Sequence, residues 1–586
     1  MKQRNGFSLI DLVISMGIIV LLFGGIFLVY SSIIDSTKNN SIRAVALSVL
    51  GQQTEVIRNL PFDQVGTQGG IPSGIIPQTQ IVVVGDQSFT VNTTIRNIDD
   101  PFDGTLGGNP NDTAPADYKL VELSAQCIRC PRQVLYAITT TVAPNNLESA
   151  STNGSLFIDV LDANGMTVSN ADVHVVNASV TPAIDLTDTT NASGVLQLVG
   201  VPTSTQSYAI TVTKSGYSSE KTYPPGNPSN PNPSKPHATV AASMVTELSF
   251  AIDKTSQLNV KTSGANCAPS GNKIFSISGS KLIGTSPDIL KYSTSSATDE
   301  NGLKIFTGIE WDTYAFTLGS ASSDLVGAIP LGPIAVNPSS TYDMRLITKP
   351  ANPLSLLVAI KDATTGTGIS SGTVNLSKSG FSKTVIAGRG TWTDSDWSGG
   401  QYADQDGGVE TESPVGSLKL KLTDGFYSTT TVSWLASQSI DVGSSTAMYY
   451  VLSWNPVSQP AQTGTGSVRF HIASNNDQAT WNFVGPDGTA NTYYSTSGET
   501  VNATHANNRY LRYKVFLKTL DENYTPEIED VSVDFTSVCV PLAQAFFSGL
   551  NPGTYTIDVT APGYQESTSS VSVTANWQQA IVLLSP

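Results

Sequence analysis

The strongest acidic constellation in the chain is the stretch 393–408, TDSDWSGGQYADQDGG, which carries Asp394, Asp396, Asp404 and Asp406. Carboxylate oxygens at this density suit Ca2+, a hard cation that takes several oxygen ligands. Paired carboxylates are also what glycoside hydrolysis needs, a weaker reading of the same residues. The commoner outcome for such a stretch is a solvated loop. A second acidic stretch, 99–112 (DDPFDGTLGGNPND), lacks EF-hand spacing and reads as turn residues. Gly368-Ile-Ser-Ser-Gly372 matches a nucleophile pattern, but a nucleophile elbow needs strand, sharp turn and helix. Here the five residues lie between two strands and read as a turn. The histidines, His174, His237, His471 and His505, are scattered, with no H-E-x-x-H pair and no phosphate loop. No enzyme is expected, and Ca2+ is the one candidate cofactor. Of Arg509, Arg512 and Lys514, only the last two share a strand face.

The cysteines are Cys127, Cys130, Cys267 and Cys539. Zinc at Cys127 and Cys130 would need a second ligand pair, and a redox motif would need a βαβ setting. A local disulfide at a hairpin tip is therefore favoured. Cys267–Cys539 is then the other intrachain pairing, between distant segments. With so few cysteines the cores must be hydrophobic.

These residues must be positioned by several domains, because the chain has 586 residues. Charged residues make up 13% of it, and Gly, Pro, Ser, Thr and Asn are abundant, as in exported β-rich modules. The net charge of −16 argues against a general nucleic-acid binder, and no nucleic-acid partner is expected.

Residues 12–30 are apolar apart from Ser and Gly. As a helix they would span about 28 Å, which matches a hydrocarbon core of about 30 Å. Lys2 and Arg4 precede the run, so the N-terminus is expected on the cytoplasmic side and the rest outside. No A-x-A-like cleavage site follows in 29–38, so the span is expected to be retained. Beyond it, Ile33, Ile34, Ile42, Val45, Val49, Val56 and Leu60 recur near helical spacing until Pro61. One helix of roughly 80 Å is predicted, the first half for lipid and the second amphipathic.

The basic leader, Gly6, and then FSLIDLVISMGIIVLL (7–22) resemble the type IV prepilin signal. The resemblance implies that a prepilin peptidase cuts after Gly6 and that the new N-terminal residue, Phe7, is N-methylated. The family usually has Glu five residues into the mature chain; Asp11 stands there, one methylene shorter. The acid lies one helical turn from the new amine. Pairing with the amine of a neighbouring subunit would offset the cost of an acid in an apolar span and set assembly register. Implied partners are other pilin subunits, an inner-membrane assembly platform and the membrane itself. The implied location is the inner membrane, single-pass, then the cell surface or a pilus.

The expected fold class is mainly β and multidomain. It combines a long N-terminal transmembrane and amphipathic helix, a small pilin-like antiparallel sheet, Ig-like β-sandwiches and a jelly-roll β-sandwich. The expected organisation is leader 1–6, helix 7–60 with the span 12–30, and a pilin-like β-domain 61–148. Sandwiches follow at 149–255 and 256–348, and a third is split between 349–395 and 541–586. A jelly-roll, 396–540, is inserted into that third sandwich.

The sandwiches share Asn-x-x-Gly or Glu-Asn-Gly, an apolar strand, a turn and Tyr-x-(Ile/Phe)-Thr, as in NASGVLQLVGV (191–201), DENGLKIFTGI (299–309) and TYTIDVT (554–560). They resemble carboxypeptidase regulatory-like and collagen-adhesin B-type modules. Five of the seven Trp, at 392, 397, 434, 454 and 481, fall in or at the border of the inserted piece. Its pattern resembles galactose-binding and carbohydrate-binding jelly-rolls. That implies surface glycans as a partner, held by aromatic stacking and polar side chains. For any single Trp, sandwich core is the commoner role.

The reading that joins these parts is a minor or tip pilin-like adhesin, with sandwiches as stalk and jelly-roll as head. The alternatives are a pseudopilin of a type II-like secretion system contacting cargo, and a surface polysaccharide hydrolase.

Overall fold

The computed structural model describes residues 9–130, 133–144, 151–318, 322–352 and 354–586, leaving aside the side chain of Asp11. Within them the chain is mainly β, with one long helix, Leu9–Arg58, and many sheets. Gly6 and Phe7 lie outside the described residues.

The helix has two halves of different character. From Leu9 to Ile33 its large apolar side chains are exposed, Leu9 at 80% and Ile19 at 51%. Ser15 and Ser31 turn their hydroxyls onto the carbonyls of Leu12 and Leu28, at 3.0 and 2.9 Å. That satisfies polar atoms inside an apolar stretch. From Ile42 onward, Ile42, Ala46, Val49, Leu50 and Ile57 are buried, one stripe at helical spacing. The helix ends at Arg58, and Pro61, three residues on, has no N–H to continue the ladder.

The buried stripe packs on an antiparallel sheet of strands Thr79–Val84, Gln87–Ile98, Tyr118–Ile128 and Leu135–Val142, in that order. Its two central strands alternate, so Phe89, Val91, Ile95, Val121, Leu123 and Ala125 face the helix. Lys119 is buried and donates from Nζ to the carbonyls of Phe62 and Val65 at 2.6 and 2.7 Å, pinning the end of the helical segment. Burial pushes this ammonium down to about 8. Cys127 and Cys130 form a disulfide at the tip of the last hairpin.

Behind this sheet, in the same compact unit, is a sandwich whose core includes Leu156, Ile158, Val173, Tyr208, Ile210 and Phe250. Three groups bind the sheet to it. Arg96 forms a bidentate pair with Asp188, with Nε at 2.6 Å, and also reaches Glu122 at 3.0 Å. Asn97 donates to the carbonyl of Val199 at 2.9 Å, and Gln78 to that of Asp185 at 2.7 Å. Gly69, at φ +72°, lies so close to Asp185 that a Cβ would sit 3.2 Å from its carbonyl oxygen.

The second compact unit holds two more sandwiches and the inserted domain. Two cores gather Leu258, Phe275, Tyr314 and Leu346 in one sandwich and Leu356, Ile360, Phe547, Tyr555 and Val582 in the other. The three sandwiches share a topology. In each, the first strand pairs in parallel with the last: Gly154–Leu161 with Val245–Ala251, Ser256–Ser263 with Thr341–Pro350, and Ser355–Asp362 with Trp577–Leu584.

The repeated motifs have physical causes. Asn191 and Asp299 each accept two backbone N–H groups through Oδ1 and close a turn on a glycine with positive φ, Gly194 and Gly302. The repeated tyrosines, Tyr208, Tyr314 and Tyr555, are buried and tie their hydroxyls to carbonyls just upstream, those of Pro202, Glu310 and Asn551.

Strands Gln544–Phe547 and Gly553–Thr560 complete the third sandwich across the insertion, pairing with Ser355–Asp362 and Thr373–Lys378. One boundary differs from the sequence reading. Strand Gly390–Asp394 pairs with Asp530–Thr536 and so belongs to the inserted domain's sheet, with Trp392 packed on that domain's core. The entry strand pairs with the exit strand, and periodicity along one segment carries no trace of that. Cys267–Cys539 is a disulfide inside the second unit. Beside it, Gln544 exchanges hydrogen bonds with both backbone groups of Ala328, at 3.0 and 2.8 Å.

Candidate functional site

Of the residues that the prepilin-type reading uses, the described part contains only the helical backbone at Asp11. What can be described of this segment is its surface, a helix whose large apolar side chains from Leu12 to Ile33 are exposed. The helix is long and apolar enough to cross a membrane.

The structure does not gather the four aspartates of 393–408. Asp394 accepts from the Tyr513 hydroxyl at 2.7 Å, and burial raises its pKa. Asp396 caps its own turn, accepting from Ser398 N and Oγ at 2.9 and 2.6 Å, and the Ser398 hydroxyl lowers its pKa. Asp404 accepts from the N–H of Gln405, and Asp406 from those of Gly408 and Trp434. Backbone and hydroxyl donors thus take up these carboxylates, and among the described residues no three His, Cys, Asp or Glu side chains form a metal-holding group.

The aromatics divide in two. Trp397, Trp454, Phe470, Tyr494 and Tyr513 are core. Trp397 Nε1 donates to the Tyr513 hydroxyl at 2.7 Å, and that hydroxyl donates to Asp394, so a polar chain threads the core and is satisfied along its length. Others, Trp434, Trp481, Tyr493 and Phe516 among them, gather with the cations on the opposite face of the sheet.

That face is built by strict alternation in strand Tyr510–Leu517. Leu511, Tyr513, Val515 and Leu517 point into the core, leaving Tyr510, Arg512, Lys514 and Phe516 on the other side. On one flank, strand Val468–Asn475 sets Arg469 opposite Phe516 and His471 opposite Lys514. On the other, strand Ser433–Ser437 sets Trp434 opposite Phe516. The connection 476–498 adds Trp481, Phe483 and Tyr493.

On this face cations and rings stack. Lys514 Nζ lies 3.3 Å from the Trp434 centroid, Arg512 lies 4.3 Å from that of Trp481, and Arg469 lies 4.4 Å from that of Tyr493. His471 stacks on Tyr493 with centroids 4.3 Å apart, and its ring Nε2 lies 2.8 Å from the carbonyl of Thr492. Burial lowers the pKa values of His471, Arg512 and Lys514. Asp404 and Asp406 are close enough to oppose that shift at Lys514. None of Arg469, Arg512 and Lys514 has an ion pair or a side-chain hydrogen bond among the described residues, and Nε of both arginines is buried without a partner.

The sequence placed Arg512 and Lys514 on one face. It did not show Arg469 joining them, because cross-strand register between distant segments decides that. A usable signal was present in the even-numbered cations and aromatics of 509–516.

In the second unit a cavity of about 630 Å3 is lined by Lys349, Lys383, Arg389, Trp392, Phe535 and Phe546, among others. Burial and the nearby Lys383 lower the pKa of Lys349. The acid on its wall, Asp441, is already paired with Arg509 at 2.8 Å.

No protein-family model matches the chain, and no curated protein sequence matches it. Among solved structures it is similar to the Bacillus anthracis TIE protein, at 12% identity over 86% of this chain and 73% of that one, with a TM-score of 0.15. It is also similar to the shaft pilin SpaA of Lactobacillus rhamnosus GG, at 13% identity over 34% of this chain and 98% of that one, with a TM-score of 0.14. A third is the minor pilin GBS52 of Streptococcus agalactiae, at 12% identity over 34% of this chain and 96% of that one, with a TM-score of 0.18. TM-scores this low support no inference about this chain.

Proposed function

We propose that this chain is a pilus-related surface subunit of the type IV pilin kind, minor or tip, with the β-sandwiches as stalk and the inserted domain as a glycan-binding head. Prepilin peptidase cuts between Gly6 and Phe7. The apolar half of the helix holds the chain in the inner membrane, N-terminus cytoplasmic, until it packs among other pilin subunits. Asp11 is the charge partner of the new N-terminal amine. No reaction is assigned to the chain.

The observation that carries this reading is the two-part helix. Its C-terminal half packs as a stripe on a four-stranded sheet, while from Leu12 to Ile33 its large apolar side chains are exposed on every side. A helix hydrophobic all round needs lipid or other helices, and assembly from a membrane supplies both in turn. N-terminal sequencing of the processed protein is the test. The sequence should begin at Phe7; an intact Met1, or a cut after Tyr30, would sink the reading.

A further inference from the structure

We propose that the outer face of the inserted domain, around Arg469, Arg512 and Lys514, binds an acidic polysaccharide through its carboxylate or sulfate groups. This rests on reading the inserted domain as a binding head and names the class of glycan it takes.

Three observations point to anionic ligands. First, three cations on one sheet face make no ion pair and no side-chain hydrogen bond among the described residues, and only Lys514 has acids, Asp404 and Asp406, near enough to act on it. The chain as a whole has 47 acids and 31 Lys and Arg, so a pairing acid is the residue type in excess. Partly buried cations left unpaired are costly unless a ligand supplies the counter-charge. Second, each cation is held by an aromatic ring beneath or beside it, which fixes its position before any ligand arrives. Third, the rings are already in use. Tyr493 carries His471 and Arg469, Trp434 carries Lys514 and Trp481 carries Arg512. A neutral sugar would compete with these cations for ring faces, whereas an anion meets the cations where the rings already hold them.

The same point weighs against nucleic acid, whose single strands stack bases on open rings. Asp404 lies in register with Ala436, which pairs with Lys514, so an acid borders the cations and limits how much negative charge they hold. Arg512 and Lys514 stand two residues apart on one strand, about 7 Å, a spacing for separate carboxylates or sulfates.

The test uses the full chain in detergent, with polygalacturonate, dextran sulfate, neutral dextran and a single-stranded oligonucleotide as probes. One or both acidic glycans should bind, weakening with added salt, while dextran should not. Polygalacturonate and dextran sulfate separate carboxylate from sulfate. Arg512→Gln and Lys514→Gln should each weaken binding about tenfold, the worth of one charge-assisted hydrogen bond. Asp404→Asn should strengthen it two- to threefold, a change of sign that a damaged fold cannot mimic. Equal binding to dextran would overturn the acidic selectivity and leave the head reading standing. Tighter binding to the oligonucleotide would replace the proposal with a nucleic-acid site. Binding to none of the probes would overturn both the proposal and the head reading, and N-terminal sequencing would be unaffected by it.

Discussion

His505 is a buried side chain with one satisfied nitrogen. Its Nδ1 meets the Ser474 hydroxyl at 2.9 Å, while Nε2 is buried with no hydrogen-bond partner among the described residues. Burial pushes its pKa from 6.5 down to about 4. The unfolded chain therefore binds more protons between those values, and stability rises with pH across that window. It is fully present above about pH 6.5 and lost as the pH falls through about 4, up to about 3 kcal/mol for a shift of that size. Chemical unfolding of the wild type should weaken over this range, and His505→Gln should flatten the slope. An equal slope in the variant would show that the carboxylates alone set it. Residues that act through such pairings are poorly legible in sequence. Asp394 and Asp396 read as one acidic cluster, yet the first is drawn into the core by Tyr513, more than a hundred positions away, and the second caps its own turn. The distinction depends on a contact between distant segments that no local pattern carries.

At the scale of elements, the helix, the four-stranded sheet and the repeated sandwich motifs could be read from period and turn chemistry. The helix was legible because Ile42, Val49 and Leu60 keep one spacing until Pro61 removes the next donor. The motif around Gly194 was legible because a positive φ selects glycine and the turn selects Asn or Asp to cap it. Docking was not legible. Neither Arg96 nor Asp188 was singled out from the sequence, yet the Arg96 guanidinium holds Asp188, whose side chain is only 6% exposed. Removing one partner of such a pair leaves a buried charge and costs roughly 3–5 kcal/mol. Arg96→Ala should lower the thermal midpoint of the first unit and separate melting of the helix–sheet part from melting of the sandwich. Arg96→Ala with Asp188→Asn should recover much of the loss. Unchanged single-step melting in Arg96→Ala would remove the pair from the docking account.

At the scale of the whole molecule, the chain joins an apolar helix to β-modules, and each of its two units is held together by its own devices. In the first unit Arg96, Asn97 and Gln78 fasten sheet to sandwich. In the second, the Cys267–Cys539 disulfide and the Gln544 clamp fasten one sandwich beside the insertion point. Covalent closure of a loop that long restricts the unfolded chain strongly. A surface subunit that carries load between an anchor and a binding face would use units fastened in this way. The central claim is that the exposed helix is a retained anchor reused for packing among subunits. Immunogold labelling of sheared surface filaments, in cells with and without prepilin peptidase, tests it most directly. The account predicts label on or at the end of filaments when the peptidase is present, and unprocessed chain confined to the membrane when it is absent. Soluble, filament-free protein of the same mass in both cells would contradict it.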